Sequence, residues 1–128
     1  IYDLLTKLQD TKIKLGVLSN KPHDITKQYV NKLFKEFNIQ EVHGQKQGKP
    51  KKPNPIGAID IANSFNLNPQ DIYFIGDTAT DIKTAKNANM KSIGVLWGFR
   101  TKEELVNSGA DFVVEDCNEL WALINRHI

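Results

Sequence analysis

A doubly wound α/β fold, with helices covering both faces of a parallel sheet, is what the sequence predicts. Apolar residues alternate between helical and strand-like spacing along the whole chain. Strand-like runs such as Ile72-Tyr73-Phe74-Ile75 are apolar at consecutive positions, which suits a strand buried on both faces. Polar residues gather just after the runs ending at Leu18, Ile75 and Leu96, and in open α/β sheets ligands bind outside the carboxyl ends of the strands.

Taken in order, Leu4, Leu5 and Leu8 form a short helical stripe, and Ile13 to Leu18 reads as the first strand. Ser19-Asn20-Lys21-Pro22 opens a second helix, with Pro22 in the first turn where its missing N–H costs nothing. Tyr29, Val30, Leu33, Phe34 and Phe37 are expected to be its buried face. A strand near Ile39 to His43 and a basic loop follow. Asn54-Pro55 resembles a helix start leading into Ile56, Ile59, Ala62 and Phe65. Ile72 to Ile75 ends at Gly76-Asp77, and Ile82, Ala85 and Ala88 then give a helix a small-residue face that can pack closely on a sheet. Ser92 to Leu96 is a further strand. Thr101 with Glu104, and Asp116 with Glu119, have capping-box spacing for two more helices, separated by Gly109 and the strand Phe112-Val113-Val114.

Composition narrows the function classes. The chain has 128 residues, 40% hydrophobic and 25% charged, which fits one folded domain and excludes a disordered tail. No apolar run approaches the roughly 20 residues that span a bilayer, so no membrane partner is expected, nor is a secretion signal at the start; the lone cysteine makes a reducing, cytoplasmic setting the expectation. The single Cys117 cannot form an internal disulfide, and its acidic neighbours Glu115, Asp116 and Glu119 disfavour a thiolate; it reads as structural. A net charge of +2 gives no reason to expect a nucleic-acid partner. The charge is nonetheless divided. Residues 1–64 hold 11 Lys and Arg against 6 Asp and Glu, whereas residues 65–128 hold 6 against 9, so opposite charges can meet across one site.

Three segments could carry chemistry. Ser19 and Asn20, between a strand and a helix, can cradle an anion with a hydroxyl and backbone N–H groups, or simply cap the helix. Among Lys46, Lys49, Lys51 and Lys52, only Lys52 runs directly into Pro53-Asn54-Pro55, an anchored backbone that could aim its ammonium inward. Asp77 ends a strand and Asp81 follows at the opening of a helix. Such a pair can hold a hard cation such as Mg²⁺, one carboxylate directly and the other in support, or can cap that helix.

In order and context, Leu18-Ser19-Asn20, Lys52-Pro53-Asn54-Pro55 and Ile75-Gly76-Asp77-Thr78-x-x-Asp81 resemble three successive motifs of the haloacid dehalogenase-like hydrolase superfamily. The resemblance is strongest to its phosphoglycolate phosphatase-like branch. Asn89-Met90-Lys91, Val95 to Arg100 and Ser108-Gly109-Ala110-Asp111 look like the same branch, so nearly the whole chain is covered. The resemblance implies a Rossmann-like core and Mg²⁺-dependent hydrolysis of a small phosphorylated metabolite through an aspartyl-phosphate. It implies that Ser19 and Asn20 hold the phosphoryl group, that Lys52 neutralises its charge, that Asp77 binds the metal, and that Asp81 orients this carboxylate, bound water or Lys52.

The family's first motif, Asp-x-Asp-x-Thr, is missing: Asp3 precedes Leu4-Leu5 and Asp10 precedes Thr11-Lys12. The chain also lacks an initiator Met, as expected of one that begins inside a longer protein. Residues 1–128 are therefore expected to be a single core-domain fragment without the helical cap and without the central nucleophile strand. That strand's place is expected to be filled by the same protein's amino-terminal segment, by a second copy or another chain, or by direct closure of the two halves. The alternative function is a catalytically inactive phosphate-binding or assembly module. A phosphotransfer receiver with Asp77 as acceptor fits less well, since Lys52-Pro53 lies upstream of it. Trp97, Phe99 and Arg100 could meet a substrate or cap, or pack as an aromatic lid with Arg100 in solvent; His23 reads as a surface residue.

Overall fold

A computed structural model describes residues 1–127 and shows the predicted alternation. Its helices are α1 (Tyr2–Gln9), α2 (His23–Phe34), α3 (Ile56–Phe65), α4 (Ala79–Asn87), α5 (Lys102–Asn107) and α6 (Cys117–Arg126). Its strands are β1 (Gly16–Pro22), β2 (Glu41–Gln45), β3 (Tyr73–Gly76), β4 (Lys91–Val95) and β5 (Phe112–Val114), with a 3₁₀ turn at Pro69–Asp71. All pairings are parallel, but the strands form two pieces. One is β1 with β2; the other runs β3-β4-β5 with β4 in the middle.

Between them lies a seam, because β1 and β3 each pair on one side only. Direct closure of the two halves, one of the expected outcomes, is therefore not what the chain adopts. The cost is visible at Ile75, in a run expected to be buried on both faces. It is 41% exposed, on an edge of β3 that no strand covers among the described residues, whereas Ile93, in the middle strand β4, is fully buried.

The helices hold the halves together. One core cluster joins Leu4 and Leu8 of α1 and Leu120, Leu123 and Ile124 of α6 to Ile93, Val95 and Val114; Ile13 and Leu15, leading into β1, pack on it. The other joins Ala58 and Ala62 of α3 to Ala85, Ala88 and Met90, and receives both Leu18 of β1 and Phe74 of β3. Its buried members are four alanines and one methionine, so this cluster bridges the seam with little bulk.

Local signals explain most of the boundaries. Thr101 and Asp116 cap α5 and α6 by accepting hydrogen bonds from Glu104 and Glu119 N–H, at 3.2 and 2.8 Å. Three expectations need correction. β1 begins at Gly16 and runs to Pro22, beyond the expected end at Leu18, because pairing with β2 resumes at Pro22 opposite Gln45 after an irregular stretch. β2 starts two residues later than Ile39. On α2 the inward stripe is Thr26, Val30 and Phe34, while Tyr29 and Leu33 are 51% and 45% exposed. The helix is rotated by one position because its Thr26 hydroxyl bonds the Lys21 and Pro22 carbonyls, and the Lys21 ammonium lies over the Tyr29 ring.

The packing predicts that Ile93→Ala, in the fully buried centre of β4, lowers unfolding free energy by about 2–5 kcal/mol. Leu67→Ala, at a 40% exposed position, is expected to cost less than about 1 kcal/mol. Urea-unfolding midpoints of the two variants provide the comparison.

Candidate functional site

The carboxyl ends of β1 and β3 carry the expected polar residues, and two side chains reach between the halves there. Asp81 sits in the first turn of α4 in a reciprocal capping arrangement with Thr78. Its Oδ2 accepts from the N–H groups of Asp77 and Thr78, at 3.1 and 3.3 Å, and from the Thr78 hydroxyl at 3.1 Å. Its Oδ1 accepts from Lys52 Nζ at 2.7 Å, in an ion pair whose side chains are only 14% and 9% exposed. Capping, which the sequence left open beside a role in metal binding, is observed for Asp81, and the same carboxylate also pairs with Lys52. Gly76 makes this possible, since a Cβ at that position would overlap the Asp81 side chain.

Lys52 is the lysine of the basic run turned inward. Lys51 is exposed, and Lys49 pairs with Asp60 at the surface. Its backbone is fastened by Asn20, whose Oδ1 accepts from Lys52 N–H at 3.0 Å and whose Nδ2 donates to Lys52 C=O at 3.4 Å. Ser19 does not cap α2. Strand β1 runs past it, Pro22 occupies the capping position without a side-chain bond, and Ser19 Oγ accepts from Lys21 N–H at 3.1 Å, leaving its own proton free to donate. Ser19, Asn20 and Lys52 line one recess of about 80 Å³ at the ends of β1 and β2.

Asp77 stands across the seam. Its carboxylate accepts no hydrogen bond among the described residues, and the Gly98 backbone lies so close that a Cβ there would overlap it. A hard, uncommitted oxygen donor of this kind suits Mg²⁺, which accepts one or two protein carboxylates and completes its shell with water and phosphate oxygens. Asp81, fully engaged, could serve only by fixing the segment that carries Asp77. Among the described residues no group of three His, Cys, Asp or Glu side chains could hold a metal unaided.

Sequence reasoning missed several supports. Glu104 does not close its own capping box; its Oε2 accepts from Ala79 N–H at 3.1 Å, tying α5 to the first turn of α4. The Asn20 clasp also went unseen, although an amide at a strand end was its only signal. Phe99 is fully exposed, so no aromatic lid packs on the core, and Arg100 reaches Glu104 at 3.4 Å. His23 is half-buried, and its Nδ1 accepts from Gly44 N–H at 3.0 Å. Desolvation, then the Lys46 and Lys27 charges, hold its pKa below the ordinary 6.5. On the same sheet edge, hydrogen bonds from His43 and Ser64 depress the Glu41 pKa.

Comparison with known proteins finds matches over most of the chain. The family model described as haloacid dehalogenase-like hydrolase matches residues 1–95. Pyrophosphatase PpaX of Listeria monocytogenes is 28% identical over 124 residues, covering 97% of this chain and 57% of its own length. Phosphoglycolate phosphatase of Escherichia coli is 29% identical over 120 residues, covering 94% and 48%. The crystal structure of a predicted phosphatase from Clostridium acetobutylicum superposes with a TM-score of 0.89 at 31% identity, covering 98% and 58%. That of beta-phosphoglucomutase from Clostridium difficile gives 0.79 at 28%, covering 98% and 53%. The chain thus spans about half the length of the curated relatives it matches.

Two outcomes test the site. Lys52→Ala strands the buried Asp81 carboxylate and is expected to cost about 3 kcal/mol or more of stability, whereas Lys51→Ala is near neutral, as read by chemical denaturation. Because folding favours neutral His23, stability is full above the unfolded value of 6.5 and falls as pH drops below it. In His23→Ala the slope of stability against pH between 6.5 and 5 should flatten; an unchanged slope would assign it to other groups.

Proposed function

The chain belongs to the haloacid dehalogenase-like hydrolases, and from that premise we propose that it is the phosphate-handling part of a phosphatase acting on small phosphomonoesters. The observation that carries the reading is the buried Lys52–Asp81 pair, whose lysine lines one recess with Ser19 and Asn20 and whose aspartate accepts from the backbone N–H of Asp77 at the end of β3. Phosphoryl transfer depends mainly on positioning and on electrostatic stabilisation of charged oxygens, and these groups supply both. Ser19 donates its proton to a phosphoryl oxygen. Asn20 clasps the Lys52 backbone, so the ammonium meets the phosphate at a fixed place. Asp81 keeps that ammonium oriented.

Asp77, with substrate phosphate oxygens and water, would hold Mg²⁺, which when bound offsets the charge gathering on the transferring group. Lys52 also has room in this role for a neighbouring carboxylate, since it balances negative charge on both.

The nucleophilic carboxylate is proposed to come from a strand seated in the seam. Both β1 and β3 present their carboxyl ends to the site, so a strand parallel to them would also end there, with its terminal side chains facing Lys52. The amino-terminal segment of the same protein is the proposed source, with the cap in the same segment and the cytoplasm as the setting. The aspartate would attack phosphorus and displace the leaving alcohol or phosphate, whose oxygen would take a proton from a second aspartate on the same strand. Water would then hydrolyse the aspartyl-phosphate, returning the carboxylate and inorganic phosphate. The named substrates of the relatives, phosphoglycolate and pyrophosphate, support a substrate that bears a second anionic group beside its phosphate.

The test is phosphate release from 2-phosphoglycolate and pyrophosphate by the protein carrying this chain with the segment preceding it. Activity is expected to require Mg²⁺, and Asp77→Asn should lower kcat by at least about a hundredfold. Turnover unaffected by chelator or by Asp77→Asn would contradict the metal role. Phosphate binding without any turnover would favour an inactive binding module instead.

A further inference from the structure

The recess that holds Ser19, Asn20 and Lys52 does not stop at them. It continues along the ends of β1 and β2 to His43, Lys46 and Lys49, with a volume of about 80 Å³, enough for a small charged group and too little for a sugar or nucleobase. The far wall is built rather than merely populated with surface lysines. Residues 46–49 form a tight turn closed by Lys49 N–H donating to Lys46 C=O at 3.1 Å, with Gly48 at φ +83° in the third position, as a type II turn requires. The Gln45 side-chain amide donates to the same Lys46 carbonyl at 3.0 Å and also to that of Lys49, clasping the turn from beneath.

Charge within the recess is unevenly spent. The ammonium of Lys52 is committed to Asp81 and that of Lys49 to Asp60 at 3.1 Å, while His43 faces Glu41 at 3.0 Å. Lys46 has no carboxylate partner among the described residues. Its backbone is fixed by the turn, its charge bears on His23, and it lines the same recess as the proposed phosphate cradle. An unpaired cation on a pinned turn favours an anionic ligand group.

We infer that the Lys46–Lys49 turn is a subsite for a second anionic group, a carboxylate or a second phosphate, carried by the substrate a few bonds from its scissile phosphate. The inference rests on the proposed phosphate site and assigns specificity to this chain's own core residues. Lys46 is the anchor, and Lys49, held by Asp60, adds a weaker field at the rim. A substrate with an uncharged leaving group would fill the cradle but leave Lys46 unsatisfied.

Calorimetric titration of the protein with four probes tests this: inorganic phosphate, ethyl phosphate, 2-phosphoglycolate and pyrophosphate. The doubly anionic probes are expected to bind about tenfold more tightly than ethyl phosphate. Lys46→Ala should remove that advantage, Lys46→Arg should restore most of it, and neither should change affinity for inorganic phosphate. A gain confined to 2-phosphoglycolate would identify a carboxylate subsite, and one confined to pyrophosphate a phosphate subsite. Inorganic phosphate binding with no preference for the doubly anionic probes, or a preference that survives Lys46→Ala, would overturn the subsite alone. Binding of none of the four would overturn the phosphate site and the subsite with it.

Discussion

The ion pair between Lys52 and Asp81 is the constraint on which the rest of the site depends. Lys52 belongs to a loop fastened to β1 through Asn20, and Asp81 belongs to the first turn of α4, whose start is set by β3. The 2.7 Å contact therefore sets the separation between the two half-sheets at their functional ends. A buried pair of this kind gives uncertain net stability, because desolvating two charges offsets much of their attraction. Its geometry is over-determined: the other oxygen of the carboxylate accepts three hydrogen bonds, and the lysine backbone is held on both its N–H and C=O. The sequence-level division into a basic and an acidic half acquires its meaning here, where the inward lysine of one half meets the capping aspartate of the other.

Stability and function pull the seam in different directions. Apolar packing across it rests on an alanine-rich cluster that receives Leu18 and Phe74 in one layer, and on α1 against α6 with Ile13 and Leu15 in the other. Larger residues at the alanine positions would bury more surface, yet they would also push α3 and α4 apart and misplace Lys52 relative to Asp81. The open edges of β1 and β3 leave backbone groups without ladder partners, which is costly when they are shielded from water and tolerable when they are wet or paired by another strand. The half-exposed Ile75 is consistent with a surface that further chain can cover.

Much of this was legible in the chain because its determinants are local. The capping positions Thr101 and Asp116, the alanine face of α4 and the apolar runs of β3 to β5 each follow from a few consecutive residues. What escaped was set at long range. Nothing near Asn20 announces that its amide will close on a backbone 32 positions later, nor that Glu104 will cap a helix 25 positions earlier instead of its own. The rotation of α2 was equally hidden, because Tyr29 and Leu33 are apolar enough to be buried. Only the Thr26 bonds and the narrow two-stranded sheet beneath select the neighbouring stripe. Exposure of Ile75 could not be read from an apolar run whose burial depends on a neighbouring strand.

The same distinction between local and distant determinants divides the site itself. The turn bearing Lys46 and Lys49 is closed by its own backbone and by Gln45, so it keeps its shape independently of the seam. The relation of Ser19 to Asp77 has no such independence: the two stand on different half-sheets, and the polar link between them runs through Asn20, Lys52 and Asp81. A strand entering the seam would therefore meet the proposed anion subsite on one side and the Asp77 carboxylate on the other. Seating it would replace water on both open edges with ladder hydrogen bonds and bring its end within the field of Lys52, coupling completion of the sheet to completion of the chemistry.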